Sequence, residues 1–294
     1  MPTPNLAVVK NSTNVRIPAS IRWSAQALGF LAPARAEELA VRLFCTPRRT
    51  RAPEAPSPEG HRFTIESGAH HVAAWEWGEG KTVLLVHGWE GRARQMSPFV
   101  APLVEAGFHV VAFDHPAHGF SSGEQVTGLD LADAVFAVGY KFRPVSTIVA
   151  HSLGATAATI ALARGLSAER VVLIAPAAEP TPYARALASA LGLSEARTEG
   201  MLGRLRALLG GDFDKIDLRK LAPRMAQDML LVHDPDDPET PFSDALAIAR
   251  AWPGARVSRA HGLGHRQILK DPATIETVVR FVSARSDALE RLGA

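Results

Sequence analysis

Val149-Ala150-His151-Ser152-Leu153-Gly154 is an apolar run that leads straight into a serine with a small residue two positions before it and another two positions after. Read as strand, sharp turn and helix start, it lifts the Ser152 hydroxyl clear of the backbone, which is the arrangement of a nucleophile elbow. Small residues belong at 150 and 154 because a larger side chain at either place would collide across so tight a turn. Glycine is common at both positions of this motif, and here alanine takes the first. Taken alone, the same letters also describe a buried strand followed by an N-cap serine. The flanking sequence discriminates between the two.

From residue 81 onward, short β-branched runs alternate with helical stretches. Strands are expected at 82–86, 109–113, 147–150, 171–175 and 229–232, with a weaker one at 256–260; helices are expected at 95–106, 129–141, 153–165, 241–252 and 272–291. Continuous apolar strands between helices predict a parallel sheet covered on both faces. Two alternating runs near 63–66 and 72–77, separated by Ser67-Gly68, predict an antiparallel pair at the sheet edge. The interval 176–228 is too long for an ordinary connection. It is rich in Ala, Leu and Arg, with breaks at Gly192, Gly210-Gly211 and Pro223, and predicts a small helical cap inserted over the sheet. Its leucines, Leu187, Leu191, Leu193, Leu202, Leu205, Leu208 and Leu209, are expected to pack against the sheet domain; the alternative is that they face lipid.

Residues 1–60 are expected to form an appendage: helical at 35–45, then a linker rich in proline and charge from 46 to 60, ahead of a domain spanning 61–294. Residues 1–45 either pack beside the cap or mediate self-association as a homodimer. The 294 residues suffice for a large core, and 47% hydrophobic with 21% charged residues is ordinary for a globular protein. A formal net charge of +2 with scattered basic residues argues against nucleic acid as a partner; Arg48-Arg49-Thr50-Arg51 is a short cluster within the linker. Cys45 is the single cysteine, so no intramolecular disulfide can form. No apolar run reaches the roughly 18 residues of a membrane span. The stretch from Trp23 to Ala32 imitates a signal peptide, but Ser24 and Gln26 interrupt it and the preceding start is long and nearly uncharged. The expectation is a cytoplasmic protein.

In an open parallel sheet, ligands bind beyond the carboxyl ends of the strands. The notable polar residues of this chain follow those ends: His87-Gly88-Trp89-Glu90-Gly91, Asp114-His115-Pro116-Ala117-His118-Gly119, Ser152, His233-Asp234-Pro235-Asp236-Asp237-Pro238, and His261-Gly262-Leu263-Gly264-His265. A serine hydroxyl needs a base to take its proton, and the base needs a carboxylate to fix its tautomer. The order serine, acid, histidine is the one that accompanies an elbow on this type of sheet.

These five motifs together resemble the α/β-hydrolase fold superfamily, in its serine-esterase-like form with a small helical cap, over about residues 61–290. The resemblance implies Ser152 as nucleophile and His265 as general base, with the backbone amides of Trp89 and Leu153 as oxyanion hole. For the acid it implies Asp237, which precedes the Pro238-Glu239-Thr240-Pro241 turn; Asp234, Asp236 and Glu179 are the alternatives. His151 next to the nucleophile reads as structural. His115, His118 and His261 could line the pocket or bond nearby backbone, and the cluster at 233–237 only superficially suggests a metal. No metal or organic cofactor is expected. The expected reaction is hydrolysis of a small-molecule carboxylic ester through an acyl-enzyme. A thioesterase, lactonase, lipase or C–C bond hydrolase would use the same residues, and a non-catalytic ligand-binding protein of this fold is the alternative from another class.

Overall fold

The computed structural model describes residues 17–48 and 54–284. Eight strands form one sheet: β1 (His61–Ser67), β2 (His70–Trp77), β3 (Lys81–Val86), β4 (Phe108–Phe113), β5 (Val145–His151), β6 (Ala168–Ile174), β7 (Asp228–His233) and β8 (Arg256–Arg259). Their order across the sheet is β1-β2-β4-β3-β5-β6-β7-β8, and only β2 runs against the others. The expected antiparallel edge and parallel body are both present.

The helices are α1 (Ala19–Leu31), α2 (Pro33–Phe44), α3 (Val100–Glu105), α4 (Gly128–Lys141), α5 (Leu153–Ala163), α6 (Thr181–Leu191), α7 (Glu195–Leu208), α8 (Leu218–Leu221), α9 (Phe242–Ala251), α10 (Gly264–Gln267) and α11 (Pro272–Ser283). The β3 run Val83-Leu84-Leu85-Val86 explains why the central strands are apolar without alternation. Leu84 and Val86 join the core under α4, α5 and α9, while Val83 and Leu85 face the opposite core under α3 and α11. Burying each such side chain is worth roughly 1.5–3 kcal/mol. Local signals set the helix starts. Thr127 and Asp130 make reciprocal side-chain to backbone bonds ahead of α4, and the Asp271 carboxylate accepts from the Thr274 amide at the start of α11.

Two expected helices differ. The one expected at 95–106 begins as a 3-10 turn over Ala93–Phe99, in which Pro98 has no amide hydrogen to donate. The one expected at 272–291 ends at Ser283, where Ala284 takes extended backbone; residues 285–291 lie outside the described residues, as do 1–16 and 49–53 of the expected appendage and linker.

The interval between β6 and β7 holds α6, α7 and α8. Its leucines do not pack mainly on the sheet as expected. Leu191, Leu202 and Leu205 form a separate core with Ala184, Ala188 and Met201, closed by Ala25 of α1 and by Ala40 and Val41 of α2, next to Cys45. Leu209 joins the sheet core, and Leu208 is exposed. The apolar face of the cap helices is therefore covered by α1 and α2. Glu37 of α2 pins this joint, taking Arg197 at 2.9 Å and Arg204 at 3.1 Å. Of the two expectations for residues 1–45, packing beside the cap is the one this contact realises, although the partner helices could not be named because α1 and α6 are remote along the chain.

Candidate active site

Ser152 stands at the junction of β5 and α5 with φ 53° and ψ −125°, a conformation that costs a non-glycine residue energy. The packing around it holds that turn. Ser152 N–H donates to the Ile174 carbonyl of β6 at 2.9 Å. A Cβ on Gly154 would lie 2.3 Å from the His87 carbonyl oxygen, and one on Gly88 would lie 2.8 Å from Ser152 Cβ. Both glycines are needed because the turn after β3 and the first turn of α5 approach each other that closely. Glu90, Ala117 and Ala175 also have positive φ, so the backbone departs from its preferred region after each of β3, β4, β5 and β6.

His265, on the short α10, comes within hydrogen-bond reach of the serine: its Nε2 is 2.9 Å from Ser152 Oγ. Its Nδ1 is 2.7 Å from Oδ2 of Asp237. The carboxylate only accepts, so Nδ1 carries the proton and Nε2 offers its lone pair to the serine hydroxyl. Asp237 is fully buried as a side chain and also accepts from the Glu239 amide (2.7 Å), the Thr240 amide (3.1 Å) and the Thr240 hydroxyl (2.9 Å). Burial alone would raise its carboxyl, but the His265 bond and charge and these two amides hold it below the usual carboxylate range.

The competing acids are engaged elsewhere. Asp234 accepts from the Leu263 and Gly264 amides at 2.6 and 2.5 Å, bracing the loop that delivers His265. Asp236 is exposed, and Glu179 pairs with Arg219 at 2.5 Å. Leu153 opens α5, and the amide of a first helical residue has no acceptor within its own helix. Trp89 follows Gly88 in the turn that lies against Ser152, so both amides named from the sequence belong to segments bordering the serine. The buried His87 ring shapes this turn, donating from Nδ1 to the Gly88 carbonyl (2.7 Å) and accepting the His115 amide at Nε2 (2.9 Å). His118 Nε2 accepts the Glu90 amide at 3.0 Å, and Arg48, beyond α2, pairs with the Glu90 carboxylate at 2.9 Å.

Five contacts were not foreseen from the sequence. His151 donates from Nε2 to the His265 carbonyl at 2.8 Å, so the residue beside the serine braces the histidine. Burial, and next the His265 charge, push His151 down to about 3, which keeps it neutral. Thr240 braces Asp237 through its hydroxyl. Glu239 binds Arg266 at 3.1 Å and lies 3.9 Å from His265 Nε2, and Tyr183 of α6 donates to the Glu239 carbonyl at 3.4 Å, tying the cap to the acid loop. The adjacency of His151 to the serine and the position of Thr240 within the proline turn were the available signals. His261 is exposed. Among the described residues, no group of three or more His, Cys, Asp or Glu is arranged to hold a metal ion.

The model of the alpha/beta hydrolase family matches residues 83–278, most of the chain and every one of the strand-end loops just described. The chain belongs to the alpha/beta hydrolase family. No curated protein sequence matches this family member. Among solved structures, it is similar to an esterase from Exiguobacterium antarcticum at 18% identity and TM-score 0.59, over 75% of this chain and 99% of that one. It is also similar to the thioesterase domain of a curacin biosynthetic pathway (18%, 0.58, 77% and 100%). A meta-cleavage product hydrolase from Pseudomonas fluorescens IP01 is a third (17%, 0.57, 74% and 96%). At such identities the likeness carries the alpha/beta hydrolase fold and no substrate.

Proposed function

We propose that this alpha/beta hydrolase is a serine hydrolase that cleaves carboxylic esters through an acyl-enzyme on Ser152. The unbroken hydrogen-bonded line from Ser152 Oγ through His265 to Asp237 carries the reading. His265 Nε2 takes the hydroxyl proton as Ser152 Oγ attacks the ester carbonyl carbon. The Asp237 carboxylate stabilises the imidazolium, and the Trp89 and Leu153 amides donate to the oxyanion. His265 then protonates the leaving alkoxide. Water, deprotonated by the same nitrogen, releases the acid and restores the serine. The test is turnover of p-nitrophenyl acetate and butyrate by the wild type and by Ser152→Ala. The wild type is expected to turn over at least one, and the variant to lose about 10³-fold or more in kcat. Equal rates from the two proteins would overturn the assignment.

A further inference from the structure

The outer face of α1 is apolar, and none of the described residues covers it. Trp23 is 70%, Phe30 88% and Leu31 78% exposed, while the other face of the helix buries Ala25 against the cap. At about 100° per residue, Trp23, Ala27, Phe30 and Leu31 fall within an arc of about 100°. A singly exposed apolar residue is ordinary, but a helix stripe of tryptophan, phenylalanine and leucine is not. Charge indicates the occupant. Residues 1–36 contain Lys10, Arg16, Arg22 and Arg35 and no Asp or Glu, although acidic residues are nearly as numerous as basic ones in the whole chain. Arg22 is exposed on α1 itself, and Arg35 is exposed at the start of α2. An aromatic and aliphatic stripe on a helix whose only charged residue is an arginine, in a segment of positive net charge, matches the interfacial zone of an anionic lipid surface, in which tryptophan and phenylalanine enter the acyl boundary and arginines meet headgroup phosphates. It does not match a partner that presents a basic rim.

We infer that the Trp23–Leu31 face of α1 docks the protein peripherally on anionic membranes. No helix among the described residues is long and apolar enough to cross a membrane, so this face lies on the surface rather than spanning it. Because α1 packs on the cap, docking there would present the cap side of the molecule to the bilayer. The inference is independent of the proposed reaction.

Co-sedimentation of the full chain with vesicles of equal parts phosphatidylserine and phosphatidylcholine tests it. Trp23 supplies a reporter, because Trp75, Trp77 and Trp252 are buried and Trp89 is half-buried. Binding is expected to the mixed vesicles, with a blue shift of tryptophan emission that is absent in Trp23→Phe. Binding should weaken with pure phosphatidylcholine and with added salt. The Trp23→Ser/Phe30→Ser variant should lose about tenfold in partitioning, and Arg22→Glu should also bind more weakly, each with an unchanged Tm that shows the fold intact. Three results would overturn the inference. They are absence of binding to the anionic vesicles, undiminished binding of the double variant, and a dimer in size exclusion that the double variant dissociates, which would give the face to a second copy of the chain.

Discussion

At the scale of single residues, a second ring of contacts surrounds Ser152, His265 and Asp237. His265 is held at three points: its Nδ1 by Asp237, its carbonyl by His151 and its approaching loop by Asp234. His151 can donate to that carbonyl in its neutral form, which burial enforces. Replacing it with Phe keeps the ring and removes the donor. For His151→Phe the expected outcome is about a tenfold fall in kcat on p-nitrophenyl butyrate with KM nearly unchanged, and partial recovery in His151→Gln. A KM effect alone would mark His151 as lining a binding surface instead. Ser152 and His265 were legible in the sequence because each stands in a motif with a required neighbour. Among three crowded aspartates the family resemblance implies Asp237, by the proline turn that follows it, and Asp237 is the one within bonding distance of His265. The bracing role of His151 was not legible, because the sequence does not tell which way a side chain leaves so sharp a turn.

At the scale of elements, the elbow works because β3, β5 and α5 meet with almost no space between them. The Gly154 Cα faces the His87 carbonyl, so a methyl group there must push β3 and α5 apart. Gly154→Ala is expected to destabilise the fold by about 2–4 kcal/mol, read as a lower urea midpoint, because overpacking at a backbone contact has no flexible side chain to yield. A midpoint equal to the wild type would show that the turn has slack. The strands were legible from continuous β-branched runs, and the eight observed ones lie within a few residues of their expected positions. Two helix boundaries were not. Pro98 turns the start of one into a 3-10 segment, and Ala284 ends another that had no proline or glycine to announce its stop. The packing of α1 and α2 beside the cap was one of two expectations for that segment, and which helices they meet was not legible. Amphipathic periodicity shows that a face is buried but not against which partner.

At the scale of the whole molecule, buried histidines tie stability to pH. Burial first of all holds both His115 and His151 down at about 3, and burial pushes His87 well below its ordinary value. In the unfolded chain such groups titrate near 6.5. Below that pH the unfolded state takes up protons that the folded state refuses, so their contribution is complete above about 6.5 and is lost as the pH falls toward 3. Asp114 acts in the opposite sense. Burial pushes it up to about 6, so the folded protein takes a proton there and gains stability on acidification through that window. Burial also lowers His233 and raises Asp244, so four histidines stand against two carboxyls and outweigh them. The urea midpoint is therefore expected to fall between about pH 7 and pH 5, and to fall less in His115→Phe; a flat profile would contradict this. The central claim, that Ser152 is a nucleophile activated by His265, is tested most directly by reaction with a fluorophosphonate followed by peptide mass mapping. The account predicts a single phosphonyl adduct on Ser152 of the wild type, and its loss in both Ser152→Ala and His265→Ala. A wild-type protein left unlabelled, or an adduct that persists in Ser152→Ala, would contradict it.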